Sequence, residues 1–284
     1  MMTISQALSL AAKQFSQSDT PQLDAEVLLA HALSATRSHI LTWPERALTT
    51  DEEQSFQAFV ERKNRGEPIA YITGTREFWS RDFIVTKDTL IPRPETELLI
   101  EIILEKFHDH QDNLSIADLG TGCGVIALTV ALEKPRWHIT ATDDSEAALN
   151  VAKSNAEHHR AENISFYLGD WCAALPIRQF DVIMSNPPYI AKDDLELNQD
   201  VIESEPWSAI YAAEAGLKDL RQIIFEAKSY LKSGGYLIVE HGHRQARPVA
   251  EMFLSAGYTD IQMYKDLSNR DRATAGRFFA SIVS

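Results

Sequence analysis

The sequence predicts an α/β protein: a mainly parallel seven-stranded sheet preceded by a small N-terminal helical-bundle domain. Three observations lead there. Seven short β-prone runs recur in the C-terminal two thirds, most of them separated by helical patterns, and alternation of that kind produces a sheet covered on both faces. No strand-like alternation appears before Tyr71, where apolar residues recur at helical spacing instead. At 284 residues the chain is long enough for two cores.

Taken in order, Thr20-Pro21 offers a helix start, an N-cap followed by proline at the first helical position. Leu23, Val27, Leu28, Leu29, Ala30 and Leu33 then give a broad apolar face. Asp51-Glu52-Glu53 opens another helix, which runs through Phe56, Phe59 and Val60 until Asn64-Arg65-Gly66 ends it. Phe78, Trp79, Phe83, Ile84 and Val85 predict a hairpin. Pro94, Glu95 and Glu97 suit the first turn of a helix whose buried face is Leu98, Leu99, Ile102, Ile103 and Phe107. Strands are expected at Ser115–Leu119, His138–Thr142, Ile164–Leu168, Asp181–Met184, Tyr236–Glu240, Tyr258–Met263 and Arg277–Val283. Helices are expected at 124–133, 145–158, 217–231 and 244–256. The resulting division is a helical domain over 1–76, a β-hairpin linker over 77–93 and a sheet domain over 94–284.

Composition narrows the function. Hydrophobic residues make up 44% and charged residues 24%, as in ordinary globular proteins. No apolar run approaches the roughly 18 residues of a membrane span, so no membrane partner is expected. The N-terminus lacks the basic start and apolar core of a signal peptide. Two cysteines, Cys123 and Cys172, make no disulfide framework, which favours a reducing, cytoplasmic location. His241-Gly242-His243 and His158-His159 have no companion ligands at useful spacing, so no metal is expected. A net charge of −14 disfavours nonspecific binding to phosphate backbones and slightly favours a basic protein partner.

Two stretches carry chemistry. Asn186-Pro187-Pro188-Tyr189 leaves the end of an apolar strand. Each proline lacks an N–H and pushes its predecessor away from helical geometry, so the turn is stiff and extended. Its carbonyls can accept hydrogen bonds from an –NH2 group, with Tyr189 as a flat wall; a plain proline-rich strand cap is the structural alternative. The second stretch, Asp118-Leu119-Gly120-Thr121-Gly122-Cys123-Gly124, lies at the first strand-to-helix turn, where glycines let backbone approach a ligand. Its spacing is not the Gly-x-Gly-x-x-Gly that seats a pyrophosphate. Asp143 ends the next strand, where a carboxylate can accept ribose hydroxyls, and Asp170-Trp171 ends the third, where both can flank an adenine. Each acid also suits a helix cap. A nucleoside without a required pyrophosphate points to S-adenosylmethionine.

With these residues the chain resembles the HemK family of class I S-adenosylmethionine-dependent methyltransferases, in particular the branch that methylates a glutamine of peptide chain release factors. The likeness covers Gly66-Glu67-Pro68-Ile69-Ala70-Tyr71 with Gly74 and Phe78-Trp79, then Leu90 to Glu97, Asp118 to Gly124, Asp143, Asp170-Trp171, Ser185 to Tyr189, Glu205-Pro206 and Glu240-His241-Gly242. Leu90-Ile91-Pro92-Arg93-Pro94-Glu95-Thr96-Glu97 is more specific than the glycine loop. Cys123 and Asp144-Ser145 fall at variable positions.

The resemblance implies a Rossmann-like sheet and S-adenosylmethionine as cofactor, leaving as S-adenosylhomocysteine. It implies that Gly120, Thr121, Gly122, Cys123 and Gly124 surround the methionine part, Asp143 binds the ribose and Trp171 lies by the adenine. Asn186 would sit where cofactor and substrate meet; Asn186, Pro187, Pro188 and Tyr189 would hold the glutamine side chain, with Asn186, Pro187 and Tyr189 carrying the catalysis. The substrate would be the Gly-Gly-Gln glutamine of class 1 release factors, recognised with help from the helical domain by a monomeric enzyme that contacts no nucleic acid directly. Three readings compete. Methylation of a ribosomal-protein glutamine keeps the chemistry. An adenine-N6 DNA methyltransferase must hold a phosphate backbone, which the charge and the lack of a long basic, aromatic-interleaved segment oppose. A silent nucleotide-binding protein leaves the intact turn without a use.

Overall fold

A computed structural model describes residues 1–108, 113–176, 179–191 and 204–280. The chain forms two compact units, one of Met1–Thr75 together with Ser204, the other from Arg76 onward.

The first unit is helical: α1 (Ile4–Gln14), α2 (Pro21–Ala32), α3 (Arg37–Thr42), α4 (Thr50–Asn64) and α5 (Ile69–Thr73). Capping boxes start two of them, Thr3 with Gln6 for α1 and Thr49 with Glu52 for α4. Thr20 precedes α2 as expected, but its hydroxyl bonds Asp24 Oδ1 rather than a helix N–H. Ile4, Leu8, Phe15, Leu28, Leu29, Ile40, Phe56 and Val60 form the core. Leu23, read as part of the apolar face of α2, is 40% exposed.

The second unit starts at Arg76, one residue into a hairpin of β1 (Thr75–Phe78) and β2 (Arg81–Ile84), then a 3-10 turn (Pro94–Thr96) leading into α6 (Glu97–Lys106). Alternation follows: β3 (Ser115–Leu119), α7 (Val125–Glu133), β4 (His138–Asp143), α8 (Glu146–His159), β5 (Ile164–Leu168), β6 (Phe180–Ser185), α9 (Lys218–Ala227), β7 (Leu231–Glu240), α10 (Ala246–Ala256), β8 (Thr259–Lys265) and β9 (Asp271–Phe278). The strand order is β5-β4-β3-β6-β7-β9-β8. The first five are parallel; β9 is antiparallel to both β7 and β8. This is the expected seven-stranded, mainly parallel sheet.

Two boundaries move for physical reasons. β7 begins at Leu231 rather than Tyr236, because Leu231 pairs with Phe180 across a register shift, and the helix expected to reach residue 231 stops at Ala227. The last strand starts at Asp271, six residues before the expected Arg277. Ala273, Thr274 and Ala275 are too small and polar to announce a strand, yet all are buried in β9 between its neighbours β7 and β8. Its expected end at 281–283 lies outside the described residues. Pro248 sits in the first turn of α10, where a missing N–H breaks no helical bond.

Candidate active site

β3 continues to β4 and β5 on one side, while β6 and β7 lie on the other, so the order reverses between β3 and β6. Loops leaving two such strands diverge and open a crevice. A cavity of about 290 Å³ lies there. The loop after β3 lines it with Gly120, Thr121, Gly122 and Cys123; Asp143 comes from the end of β4, Trp171 from beyond β5, and Asn186 with Pro188 from beyond β6. Three other residues expected at the site, Gly124, Pro187 and Tyr189, adjoin these in sequence and are not part of the lining.

On the glycine-loop wall, backbone does most of the work. Gly120 has φ +69°, and a Cβ there would meet Trp171 Cζ3 at 2.8 Å, so only glycine lets the indole close over the loop. Gly124, at φ +90°, precedes α7, and a Cβ there would meet Leu128 Cδ1 at 2.8 Å and Ala152 at 3.2 Å. The missing Cβ lets α7 pack. The side chain that caps α7 belongs to Asp118 instead: Oδ2 accepts from Thr121 Oγ1 at 2.6 Å and from Ala127 N at 3.2 Å. Oδ1 has no partner. Burial pushes this carboxyl up to about 7 against those two bonds.

Asp143 takes one N–H on each oxygen, Gly122 N at 2.8 Å and Ser145 N at 3.0 Å. A carboxylate has about four acceptor positions, so two remain for a ligand. Burial raises its pKa, partly offset by these N–H bonds.

The turn wall is built from side chains. Both prolines are trans. Asn186 Nδ2 donates to Thr96 Oγ1 at 3.0 Å, and Tyr189 donates its hydroxyl to Glu240 Oε1 at 3.0 Å. Gln245 clamps the turn's end, donating from Nε2 to Tyr189 O at 2.9 Å and to Ala215 O at 3.1 Å while Oε1 accepts from Gly242 N. Gly216 passes so close that a Cβ would lie 2.0 Å from Tyr189 O, and Glu214 and Ala215 beside it hold φ near +55°. Such left-handed non-glycine backbone persists only where its surroundings hold it. Burial pushes the Glu240 carboxyl up to about 7, opposed by the Thr96 and Tyr189 hydroxyls and Arg272. Burial, then Glu240, raises the Tyr189 hydroxyl; Arg272 beside it acts the other way.

Next to the turn, buried Glu205 accepts from Ile91 N at 2.9 Å and pairs with Arg93, fixing the approach to Pro94. The roles of Thr96, Glu240, Gln245 and Arg272 escaped sequence reasoning. One signal was available: Glu240 ends a run of Leu237-Ile238-Val239, a carboxylate at a strand's carboxyl end like Asp143 and Asp170.

A sheet of this order with its crevice beyond β3 and β6 is the fold of a methyltransferase. A solved methyltransferase from Pyrococcus furiosus superposes with a TM-score of 0.54 over 79% of this chain and 98% of that one; at 18% identity the likeness speaks for the fold. Residues 94–208 match the methyltransferase small domain and residues 6–74 the PrmC N-terminal domain. The release factor glutamine methyltransferase of Coxiella burnetii is 44% identical across 98% of this chain and 99% of its own. That of Escherichia coli is 41% identical across 95% and 96%. The chain belongs to the release factor glutamine methyltransferase family.

Proposed function

We propose that this protein transfers a methyl group from S-adenosylmethionine to the side-chain amide nitrogen (N5) of the glutamine in the Gly-Gly-Gln motif of class 1 peptide chain release factors, acting in the cytoplasm as a monomer. Family membership supports the substrate. One observation carries the chemistry: Asn186 lines the cavity with its Nδ2 already committed to Thr96, which leaves Oδ1 to accept from a substrate –NH2.

The residues fit the cofactor. The Gly120–Cys123 loop lies beside the indole of Trp171, and Asp143 keeps two acceptor positions, as a nucleoside with a vicinal diol requires. When bound it would supply a methyl group on a positively charged sulfonium, which would leave as a neutral thioether; the proton that the methylated amide nitrogen no longer holds would pass to solvent as the products leave. An amide nitrogen is a poor nucleophile because its lone pair is delocalised, as the rotation barrier of roughly 18–20 kcal/mol shows. Asn186 Oδ1 and the Pro187 carbonyl would accept the two amide hydrogens, aim the nitrogen and favour the charge that develops there. Tyr189 would bound the amide and exclude water. Orientation of this kind can supply up to about 7–11 kcal/mol, so a strong base is not required. In this reading the helical domain, residues 1–76, recognises the release factor, the hairpin over 77–93 is the linker, and residues 94–284 carry the transfer.

Labelled S-adenosylmethionine with purified release factor tests the proposal. Label on that factor and none on a factor whose Gly-Gly-Gln glutamine is replaced by alanine is the expected result. No label on either, with cofactor bound, would refute it and turn attention to ribosomal proteins and then DNA.

A further inference from the structure

Building on that function, we propose that Thr96 and Glu240 are positioning residues that decide which end of the Asn186 amide faces the substrate. Hydrogen-bond polarity sets the choice. A threonine hydroxyl has a single proton; arginine only donates; an ionised carboxylate only accepts. Arg272 stands beside the Tyr189 hydroxyl and can only donate, so that hydroxyl turns its oxygen to the guanidinium and sends its own proton to Glu240 Oε1. Glu240 is almost wholly buried, and its Oε2 has no close partner of its own. The Thr96 hydroxyl, also buried, faces this carboxylate. Its proton is therefore drawn toward Glu240, and its oxygen is left to accept from Asn186 Nδ2 at 3.0 Å. Tyr189 donates to Glu240 from one arm of the turn, and the Thr96 hydroxyl faces the same carboxylate from the other. Asn186 Oδ1 is turned to the cavity as a consequence.

Replacing Glu240 by glutamine keeps the shape and reverses the polarity on one arm. Arg272 still fixes the Tyr189 hydroxyl as a donor, so the new amide oxygen stays with Tyr189 and the new –NH2 faces Thr96. Thr96 must then accept from residue 240 and turn its proton to Asn186. The Asn186 amide flips, and a donor meets the substrate's donor. Protonation of Glu240 acts in the same direction. The charged groups facing it are Glu95 from the 3-10 turn, which disfavours the anion, and Arg272 from β9, which favours it, with the Thr96 and Tyr189 hydroxyls adding to the latter. Wild-type kcat should therefore rise with pH through one titration that Glu240→Gln lacks.

The test compares wild type, Glu240→Gln, Thr96→Val, Thr96→Ser and the Thr96→Val/Glu240→Gln double variant in turnover on release factor and in cofactor binding. Glu240→Gln should lower kcat about 100-fold, the scale of one lost transition-state hydrogen bond, with cofactor affinity held within about two-fold. Thr96→Val should lower kcat about 10-fold, and Thr96→Ser should restore most of that. The double variant should be no slower than Glu240→Gln alone, since both act through one chain of bonds. In the free enzyme, the Asn186 side-chain amide NMR signal, assigned by its absence in Asn186→Ala, should shift between wild type and Glu240→Gln. Turnover of Glu240→Gln within about three-fold of wild type, or an unmoved Asn186 signal, overturns the proposal. If wild type labels no release factor, the function itself falls and the Asn186 signal alone decides: a shift upholds the polarity chain, and no shift overturns it.

Discussion

The two walls of the cavity are assembled by different means. On the glycine-loop wall the bonds are short in sequence or run to backbone: Thr121 to Asp118 spans three residues, and Gly122 N reaches Asp143, 21 residues on. On the turn wall, Asn186 reaches back 90 residues to Thr96, Tyr189 forward 51 to Glu240, and Gln245 back 56 to Tyr189. The first wall offers shape and backbone donors that a strand-to-helix turn sets up on its own. The second offers an oriented side chain that only a complete sheet can orient, because β7 and β9 bring Glu240 and Arg272 beneath the turn. Binding should therefore depend mainly on the first wall, turnover on the second.

The sharpest break of that contrast is Asn186→Ala. Loss of the acceptor should lower kcat about 10²–10³-fold, while cofactor affinity, measured by calorimetry, should change far less. Retention of most turnover would remove Asn186 from the chemistry. Gly120→Ala should give the reverse pattern. Its methyl meets Trp171 at 2.8 Å at a positive φ, a conformation that costs about 1–2 kcal/mol for an L-residue. Cofactor affinity should fall about 10-fold, with kcat at saturation close to wild type; a kcat defect alone would show that the walls are not separable. Tyr189→Phe should sharpen the contrast from the other side. It withdraws the hydroxyl that donates to Oε1 of the buried Glu240 carboxylate, which should lower stability by about 1–3 kcal/mol. Denaturant midpoints check this, and an unchanged midpoint would mean that Glu240 finds another donor.

The same difference explains what could be read from the chain before folding. The order of strands and helices was legible because each parallel strand is a nearly continuous apolar run, such as Ile116-Ala117 before Asp118 or Val182-Ile183-Met184. The glycine loop and Asp143 were legible because positive φ and strand-end carboxylates leave local marks. Asn186–Tyr189 was visible as a turn, but its supports were not. Nothing local says that Thr96 will face Asn186 or that Gln245 will clamp Tyr189, since such pairings arise only from strand order. The sequence marked Gly124 for the ligand but not for packing; in the structure its missing Cβ is also what leaves room for Leu128 of α7 and for Ala152. β9 was misjudged for a related reason: its small residues fit between β7 and β8 and carry no signal until those neighbours exist.

The smallest expected effect concerns Asp118, which supports the loop wall without lining the cavity. Its folded pKa, about 7, lies above that of an unfolded aspartate near 3.8, so between these values the folded state holds a proton that the unfolded state has released. Stability then falls as pH rises across that interval and levels off above about 7. Asp118→Asn removes this dependence. Its oxygen can still accept from Thr121 and Ala127, but its –NH2 takes the place of the unpartnered Oδ1, a deficit of about 1–3 kcal/mol. At pH 5 the variant should be the less stable protein. By pH 8 the gap should narrow or reverse, because wild type then carries an ionised, buried carboxylate. Thermal melts of both proteins at several pH values isolate this group, since Glu240 and the other carboxylates are common to both. A difference in Tm that stays constant from pH 5 to 8 would mean that Asp118 keeps the same charge throughout, and that the cap of α7 is held by the anion alone.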